Sequence, residues 1–327
     1  AEKRETERVE LGTFREVADI YIEDYCKPNT RTWKETERMF KKYILPKFGK
    51  TPVDEISRAQ VRNLIKHVVN NNGPVMANRV AGVIRSMYSW MAREEDYEGD
   101  NPARGIAAPN YTENKRDRYL DHDEIKSLLL ACDKMGWPFG PYFKFLLLTG
   151  QRKNETVRLK RSDIKGDTWT IPKEIAKNGE RHLVPLTGPA IELLESSPQL
   201  GEYIFTTTGD KPLAGFSKAK RRCEKLIAEQ RKKDDLPPME RWTIHDLRRT
   251  AASGMAEMRI PPHVVEKILN HTGGVISGVA AIYNRHGYDE EKREALTAWS
   301  NKIGAIMNPD EPMNVTSIKE AREARNG

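Results

Sequence analysis

Six residues in the last two-thirds of the chain have types and an order suited to phosphate chemistry: Arg152, Lys177, His245, Arg248, His271 and Tyr283. They stand in the contexts TGQRKNE, AKNGERHLVPL, HDLRRT, LNH and AIYNRH. A phosphodiester under attack passes through a five-coordinate phosphorus with extra negative charge on its non-bridging oxygens. Arginine suits that charge, because its planar fork grips two oxygens and stays protonated at any working pH. Arg152 and Arg248 are the candidate clamps. His245 lies three residues before Arg248 on a predicted helix, so the two share a face. Thr243 and Asp246 are placed to cap that helix start. His271, just past the next helix, adds a donor. Tyr283 is the candidate nucleophile. Its phenol has a reference pKa near ~10, so nearby cations must stabilise the phenoxide. Lys177, beside the turn-forming Asn178-Gly179, has the position of an acid that swings in to protonate the leaving oxygen. Such a reaction keeps the energy of the cut bond in a phosphotyrosine and needs neither ATP nor metal. The sequence has no clustered carboxylates for a metal site, and no cofactor is expected.

Taken singly, each residue has a blander reading. His245 is a helix-end histidine, His271 a charged C-terminal cap and Lys177 a solvated hairpin lysine. Tyr288 competes with Tyr283, but it begins the next helical segment, where it packs or caps. His182 and His286 read as surface residues, and His263, in the first turn of a helix, has no assigned role.

The elements that must position these groups can be read from periodicity. From Thr13 to about Arg93 the pattern is helical, with about four helices. Phe14, Val17, Ala18 and Tyr21 form one apolar stripe, and Val61, Ile65 and Val68 another. Residues 94–117 are polar and rich in Pro and Gly, the composition of an interdomain linker. Asp121 with Glu124 makes a capping-box start for a helix through Cys132. An apolar helix covers Tyr142 to Leu148. Strands are expected at Thr168 to Pro172 and His182 to Leu186, with Asn178-Gly179 turning between them. Helices follow at 189–195, 216–233, 245–257, 262–269, 275–283 and 288–306, and a short helix-prone piece spans 315–325. On the 216–233 helix, Phe216, Ala219, Cys223 and Leu226 form the expected buried stripe.

The chain of 327 residues carries a formal charge of +7, which favours a polyanionic partner. Its distribution says more. Between Ile56 and Arg93 there is no acidic residue but six basic ones: Arg58, Arg62, Lys66, Arg79, Arg85 and Arg93. Arg58, Arg62 and Lys66 recur every fourth residue, which puts three cations on one helix face. From Lys211 to Arg249 there are 12 basic and 6 acidic residues, among them Lys218, Lys220, Arg221, Arg222 and Lys225. Three scattered cysteines, Cys26, Cys132 and Cys223, suggest neither a zinc site nor a disulfide framework. No apolar run has the length of a membrane span, and no signal-peptide pattern is present. The charged start at Ala1, without methionine, reads as a fragment or a processed product.

In this order and in these contexts, the Arg, Lys, His-x-x-Arg, His and Tyr residues resemble the tyrosine recombinase (phage integrase) family. The run YNRHGYDEEKREALTAW is most similar to integrases of prophages and genomic islands. The resemblance covers nearly the whole chain. It implies a charged lead-in at 1–12 and an all-α helical-bundle core DNA-binding domain at 13–93. A linker at 94–117 then leads to an α+β catalytic domain at 118–306, mainly α with a small β-sheet, and a tail at 307–327. The implied activity is site-specific recombination. Double-stranded DNA is cleaved and rejoined through a 3′-phosphotyrosine intermediate, to integrate or excise a mobile element.

By the same resemblance the six residues carry catalysis, and Glu155 supports the active site. Tyr283 stands 12 residues after His271, as the family pattern requires. Arg58, Arg62, Lys66 and Arg79, with Lys218, Lys220, Arg221, Arg222 and Lys225, would touch DNA phosphates, giving affinity and register. The implied partners are a homotetramer in a synaptic complex and DNA-bending and excision accessory proteins, with no membrane. The implied location is the bacterial cytoplasm, at the nucleoid. The tail is expected to dock on a neighbouring protomer. Family members of this kind usually carry a further N-terminal arm-binding domain, which this stretch of sequence lacks. Asn270 departs from the glycine usual before the histidine, so a local backbone adjustment is expected. Two other readings are a type IB topoisomerase-like nicking-resealing enzyme and a catalytically idle DNA-binding regulator. The separate helical domain and the integrase-like C-terminal run disfavour the first. The six filled positions disfavour the second.

Overall fold

The structure is a computed structural model that describes residues 12–94, 97–107, 117–271 and 287–309. Tyr283, His286, the lead-in and the helices expected at 275–283 and 315–325 lie outside the described residues. The chain divides into two compact units, Ala1–Lys115 and Arg116–Gly327.

The described part of the first unit is helical. Helix α1 (Phe14–Ile20) begins at Thr13, whose N–H donates to the Glu16 carboxylate at 2.8 Å while its hydroxyl accepts from Glu16 N–H at 3.4 Å. That reciprocal cap satisfies donors a helix start otherwise leaves open. The chain continues through a π-helical turn, Tyr21–Cys26. Helix α2 (Trp33–Met39) runs into a similar turn, Phe40–Ile44. Helices α3 (Arg58–Asn72) and α4 (Pro74–Glu94) pack along each other. Ser57 and Gln60 cap α3 as Thr13 and Glu16 cap α1. Both expected stripes are buried, Phe14, Val17, Ala18 and Tyr21 in one case and Val61, Ile65 and Val68 in the other.

Part of the expected linker belongs to this core. Tyr97, Ala103 and Ile106 are buried in it. Arg85 donates to the carbonyls of Ala103 at 3.3 Å and Ile106 at 2.7 Å, Asn101 donates to the Arg85 carbonyl at 2.9 Å, and Arg58 donates to the Arg104 carbonyl. The polar composition of 94–117 hid three apolar anchors and the arginines that hold the backbone between them.

The second unit opens with α5 (His122–Met135), capped by Asp121, whose carboxylate accepts from Glu124 N–H at 2.8 Å. Next come α6 (Phe139–Thr149) and a single turn, α7 (Lys153–Thr156). Three short strands form an antiparallel sheet in chain order: β1 (Ile164–Lys165), β2 (Thr168–Ile171) and β3 (His182–Pro185). Strand β1 was not expected, because two residues are too few for a pattern. Trp169 opposes Val184, and Ile171 opposes His182. Residues 172–181 connect β2 to β3, so the turn is a loop of ten residues with Gly179 in the left-handed region, φ 76°. Five helices complete the described unit: α8 (Gly188–Glu195), α9 (Phe216–Lys233), α10 (Ile244–Glu257), α11 (Pro262–Ile268) and α12 (Asp289–Met307).

Helices α5, α6, α10 and α12 enclose the core, with Phe143, Phe145, Trp242 and Trp299 fully buried. The fold is thus mainly α with one small antiparallel sheet. On α9 the buried stripe is Ala219, Cys223, Ile227 and Arg231, with Phe216 and Leu226 half-buried instead. Arg231 escaped the expectation because it is charged. Its guanidinium donates to the Pro237 carbonyl at 2.6 Å and to the Ser127 hydroxyl at 3.2 Å. The cysteines are free and buried. Among the described residues no helix is long and apolar enough to cross a membrane.

Candidate active site

The site is organised by one helix end. Helix α11 closes in a Schellman turn: Asn270 N–H donates to the Lys267 carbonyl at 3.2 Å, and His271 N–H to the Glu266 carbonyl at 3.1 Å. This turn needs a left-handed residue after the cap, and Asn270 supplies it at φ 50°. Asparagine visits that region more readily than most residues with a side chain. The expected backbone adjustment is therefore absent, because the residue adopts the conformation a glycine would.

A helix C-terminus leaves carbonyls without intrahelical donors, and here side chains from other elements fill them. The Ile268 carbonyl accepts from His182 Nε2 at 3.0 Å and from Gln151 Nε2 at 2.9 Å. The Leu269 carbonyl accepts from Arg248, and the Asn270 carbonyl accepts from Arg152 at 3.1 Å. Arg248 also donates to the Gly150 carbonyl at 2.8 Å. Two guanidinium groups are thus fastened to adjacent peptide units and oriented by them.

Arg248 is buried on α10, whose start is fixed by Thr243 N–H donating to the Asp246 carboxylate at 2.7 Å. Arg152 directly precedes α7, half-buried, and donates to Glu155 Oε1 at 3.1 Å. Glu155 is buried. Its Oε1 also accepts the Lys177 N–H at 2.9 Å, and its Oε2 has no partner among the described residues. The carboxylate therefore ties the first arginine to the loop that carries Lys177, whose side chain is exposed. His245 is exposed in the first turn of α10. His271 is exposed too, and one ring nitrogen lies 2.9 Å from the Glu266 carboxylate.

The electrostatics are those of cations crowded together and partly buried. Burial, then the charge of Arg152, presses the Arg248 guanidinium below its ordinary value. Burial, then Arg248, lowers both His245 and His271. An anion held by both arginines would oppose each of those shifts.

The structure therefore brings Arg152, Glu155, Lys177 and Arg248 into one bonded network around the end of α11, with His271 on that end and His245 a turn before Arg248. Tyr283 lies outside the described residues. Tyr288 has a left-handed backbone, φ 54°, and its ring packs 5.2 Å from that of His263, which gives both residues a packing role. His182, expected at the surface, is buried, and burial followed by the charge of Lys292 pushes its pKa down to about 3. Gln151 and Lys292 were not singled out by sequence, and Asn178 only as a turn former beside Gly179. Gln151 had a signal only in its place between Thr149-Gly150 and Arg152.

Of the basic residues outside the centre, Arg62, Lys66 and Arg79 are exposed, and Arg58 spends one guanidinium nitrogen on the Arg104 carbonyl. On α9, Lys218, Arg221, Arg222 and Lys225 are exposed. Lys220 is held against the protein. Its ammonium lies 4.7 Å from the Trp242 ring centroid and pairs with Glu224.

A model of the phage integrase family matches residues 118–292, and a model of its N-terminal SAM-like domain matches residues 13–69. The integrase of Shigella phage Sf6 is 25% identical over 280 residues, 82% of this chain and 69% of that protein. The prophage integrase IntZ of Escherichia coli K12 is 25% identical over 320 residues, 91% of this chain and 74% of that protein. Among solved structures, a lambda integrase dimer bound to a COC′ core site superposes with a TM-score of 0.62 at 19% identity, over 81% of this chain and 97% of that one. The Tn1549 transposon integrase in complex with circular intermediate DNA gives 0.60 at 12% identity, over 86% and 98%. These structural likenesses carry the fold. The first family model alone spans more than half of the 327 residues, and the chain belongs to the phage integrase family of tyrosine site-specific recombinases.

Proposed function

We propose that the chain cuts and rejoins double-stranded DNA for the integration or excision of a mobile element, with Tyr283 as nucleophile and the α11 cluster as its phosphate site. The observation that carries this reading is the fastening of Arg152 and Arg248 to neighbouring carbonyls of one helix end. Two guanidinium groups held in that way are preorganised for the non-bridging oxygens of one phosphate and need not reorganise as charge develops. His245 and His271 add donors. The Tyr283 oxygen attacks phosphorus, the 5′-oxygen leaves, and Lys177 gives it a proton. A 3′-phosphotyrosine and a free 5′-hydroxyl result. Attack by a second 5′-hydroxyl then frees Tyr283 and reseals the strand. Glu155 orients Arg152 and the backbone of Lys177 without touching the phosphate.

The phage and prophage relatives support recombination between sites over relaxation of one duplex. The lambda integrase tetramer on a Holliday junction, TM-score 0.64 at 19% identity, supports a homotetramer as the working assembly. DNA-bending and excision proteins are the expected accessories. Arg58, Arg62, Lys66, Arg79 and the exposed cations of α9 supply phosphate contacts.

Covalent trapping tests the chemistry. The probe is a nicked duplex carrying the junction sequences of the mobile element that encodes the chain, so that the short cleaved strand diffuses away. An adduct that survives denaturation and is lost in Tyr283→Phe is the expected outcome. An adduct that persists in Tyr283→Phe would assign the nucleophile elsewhere.

A further inference from the structure

The loop that carries Lys177 is fastened to the arginine cluster by a second device. Asn178 Nδ2 donates to Asn270 Oδ1 at 2.7 Å, and Asn270 Nδ2 donates back to Asn178 Oδ1 at 3.3 Å. The two amides form a closed pair across 92 residues of sequence. Asn178 Oδ1 also accepts the Glu180 N–H at 3.2 Å, which shapes the loop tip itself. One residue before Asn178, the Lys177 N–H donates to Glu155, and the Asn270 carbonyl holds Arg152. Asn270 therefore does three things at once. Its backbone makes the left-handed turn, its carbonyl orients Arg152, and its side chain grips the residue next to Lys177.

A glycine would serve the first two functions and could not serve the third. The left-handed conformation explains why position 270 needs glycine or asparagine, and not why it holds asparagine. The closed amide pair does. We propose that the Asn178–Asn270 amide pair is a positioning clasp, which holds the Lys177 loop against the phosphate site and so sets how often the lysine reaches the leaving oxygen. Neither asparagine touches the phosphate in this proposal; both act through Lys177. The proposal rests on the acid role assigned above to Lys177.

The test uses Asn178→Ala, Asn270→Gly, the double variant and Lys177→Ala in the full chain. Asn270→Gly keeps the left-handed turn, so it removes the clasp without straining the backbone. Two readouts separate the claims. The first needs no DNA. Hydrogen exchange of peptides spanning 173–181 is expected to quicken in both single variants, because Lys177 N–H loses its fixed geometry on Glu155. Unchanged exchange overturns the clasp.

The second readout is the cleavage rate on the junction duplex with oxygen or sulfur at the bridging 5′ position, since a sulfur leaving group needs no proton. Lys177→Ala is expected to slow the oxygen substrate roughly 10²–10⁴-fold, the range for a general acid. The clasp variants should slow it by about 10- to 100-fold, the cost of a misplaced group. The double variant should be no slower than the slower single one. Sulfur should bring all four variants to the wild-type rate on sulfur. A clasp defect that persists on sulfur, while Lys177→Ala is restored, overturns the clasp alone. Failure of sulfur to restore Lys177→Ala overturns the acid role, and the clasp's catalytic purpose with it.

Discussion

His182 is expected to make the stability of the second unit depend on pH. Its ring is buried at the start of β3, and Nε2 must carry the proton, because the Ile268 carbonyl it faces can only accept. A second proton would place a charge in a site already facing the Lys292 ammonium, Arg248 and Arg152, and the pKa is pushed down to about 3. In the unfolded chain the ring titrates near its ordinary value of about 6.5. Between those values the unfolded state binds a proton that the folded state refuses. Stability therefore falls as pH falls from about 6.5 toward 3 and is fully present above that window.

For a pKa of about 3 folded and about 6.5 unfolded, the loss between pH 7 and pH 5 is about 2 kcal/mol. In a unit of this size that lowers the melting temperature by roughly 4–8 °C. Other groups titrate in the same range, so the informative quantity is the difference from His182→Gln. A glutamine amide can still donate to the Ile268 carbonyl, yet it takes up no proton. The assay is denaturant or thermal unfolding of both proteins at pH 7, 6 and 5. The wild type should lose about 2 kcal/mol more than the variant across that range. Parallel losses would refute the argument, and with it the view that His182 is a neutral strut beneath the arginine cluster.

Two further outcomes check the packing and the phosphate contacts. A Cβ on Gly254 would stand 2.1 Å from Cζ3 of Trp299, whose indole N–H donates to the Leu147 carbonyl at 2.8 Å. Gly254→Ala should therefore part α10 from α12 and cost about 1–3 kcal/mol in unfolding experiments. An unchanged midpoint would mean that the ring slides aside freely. On the exposed face of α3, Arg62→Gln with Lys66→Gln should weaken binding to duplex DNA uniformly across sequences. The slope of log affinity against log salt should shrink by about 0.9 for each phosphate that the variant no longer neutralises. An unaltered slope in fluorescence anisotropy would remove that face from the DNA interface.

Helices were readable where local chemistry decides them. Asp121 and Thr243 each precede a residue that completes a cap three positions on, and each begins a helix. Elements decided by tertiary contacts were not readable. The polar stretch after α4 gives no hint that Tyr97, Ala103 and Ile106 close the first core, because so few apolar residues, so unevenly spaced, make no period. His182 looked like a surface residue because strand patterning assigns polar side chains outward. Its strand is covered on both sides, as the burial of His182, Val184 and Pro185 shows. A charged partner, Lys292 from α12, stands close by and donates to the Leu183 carbonyl at 2.9 Å.

The proposed active site divides along the same line. Residues proposed to bring charge to it, Arg152, Lys177, His245, Arg248 and His271, were legible because charge and order are written in side-chain types. What orients them was not. The carbonyls of Gly150, Ile268, Leu269 and Asn270 are the partners that aim the two arginines and seat His182. Every residue owns such a carbonyl, so no sequence pattern marks these four. Three of them become partners because α11 ends where it does, and Gly150 because it closes α6, each end leaving acceptors open. Asn270 is the one point where the hidden part surfaces in the sequence. A side chain stands there although the turn needs none, and it makes an interaction that a glycine could not. The reciprocal bonds to Asn178 are that interaction, and they lead from the end of one helix to the residue beside Lys177.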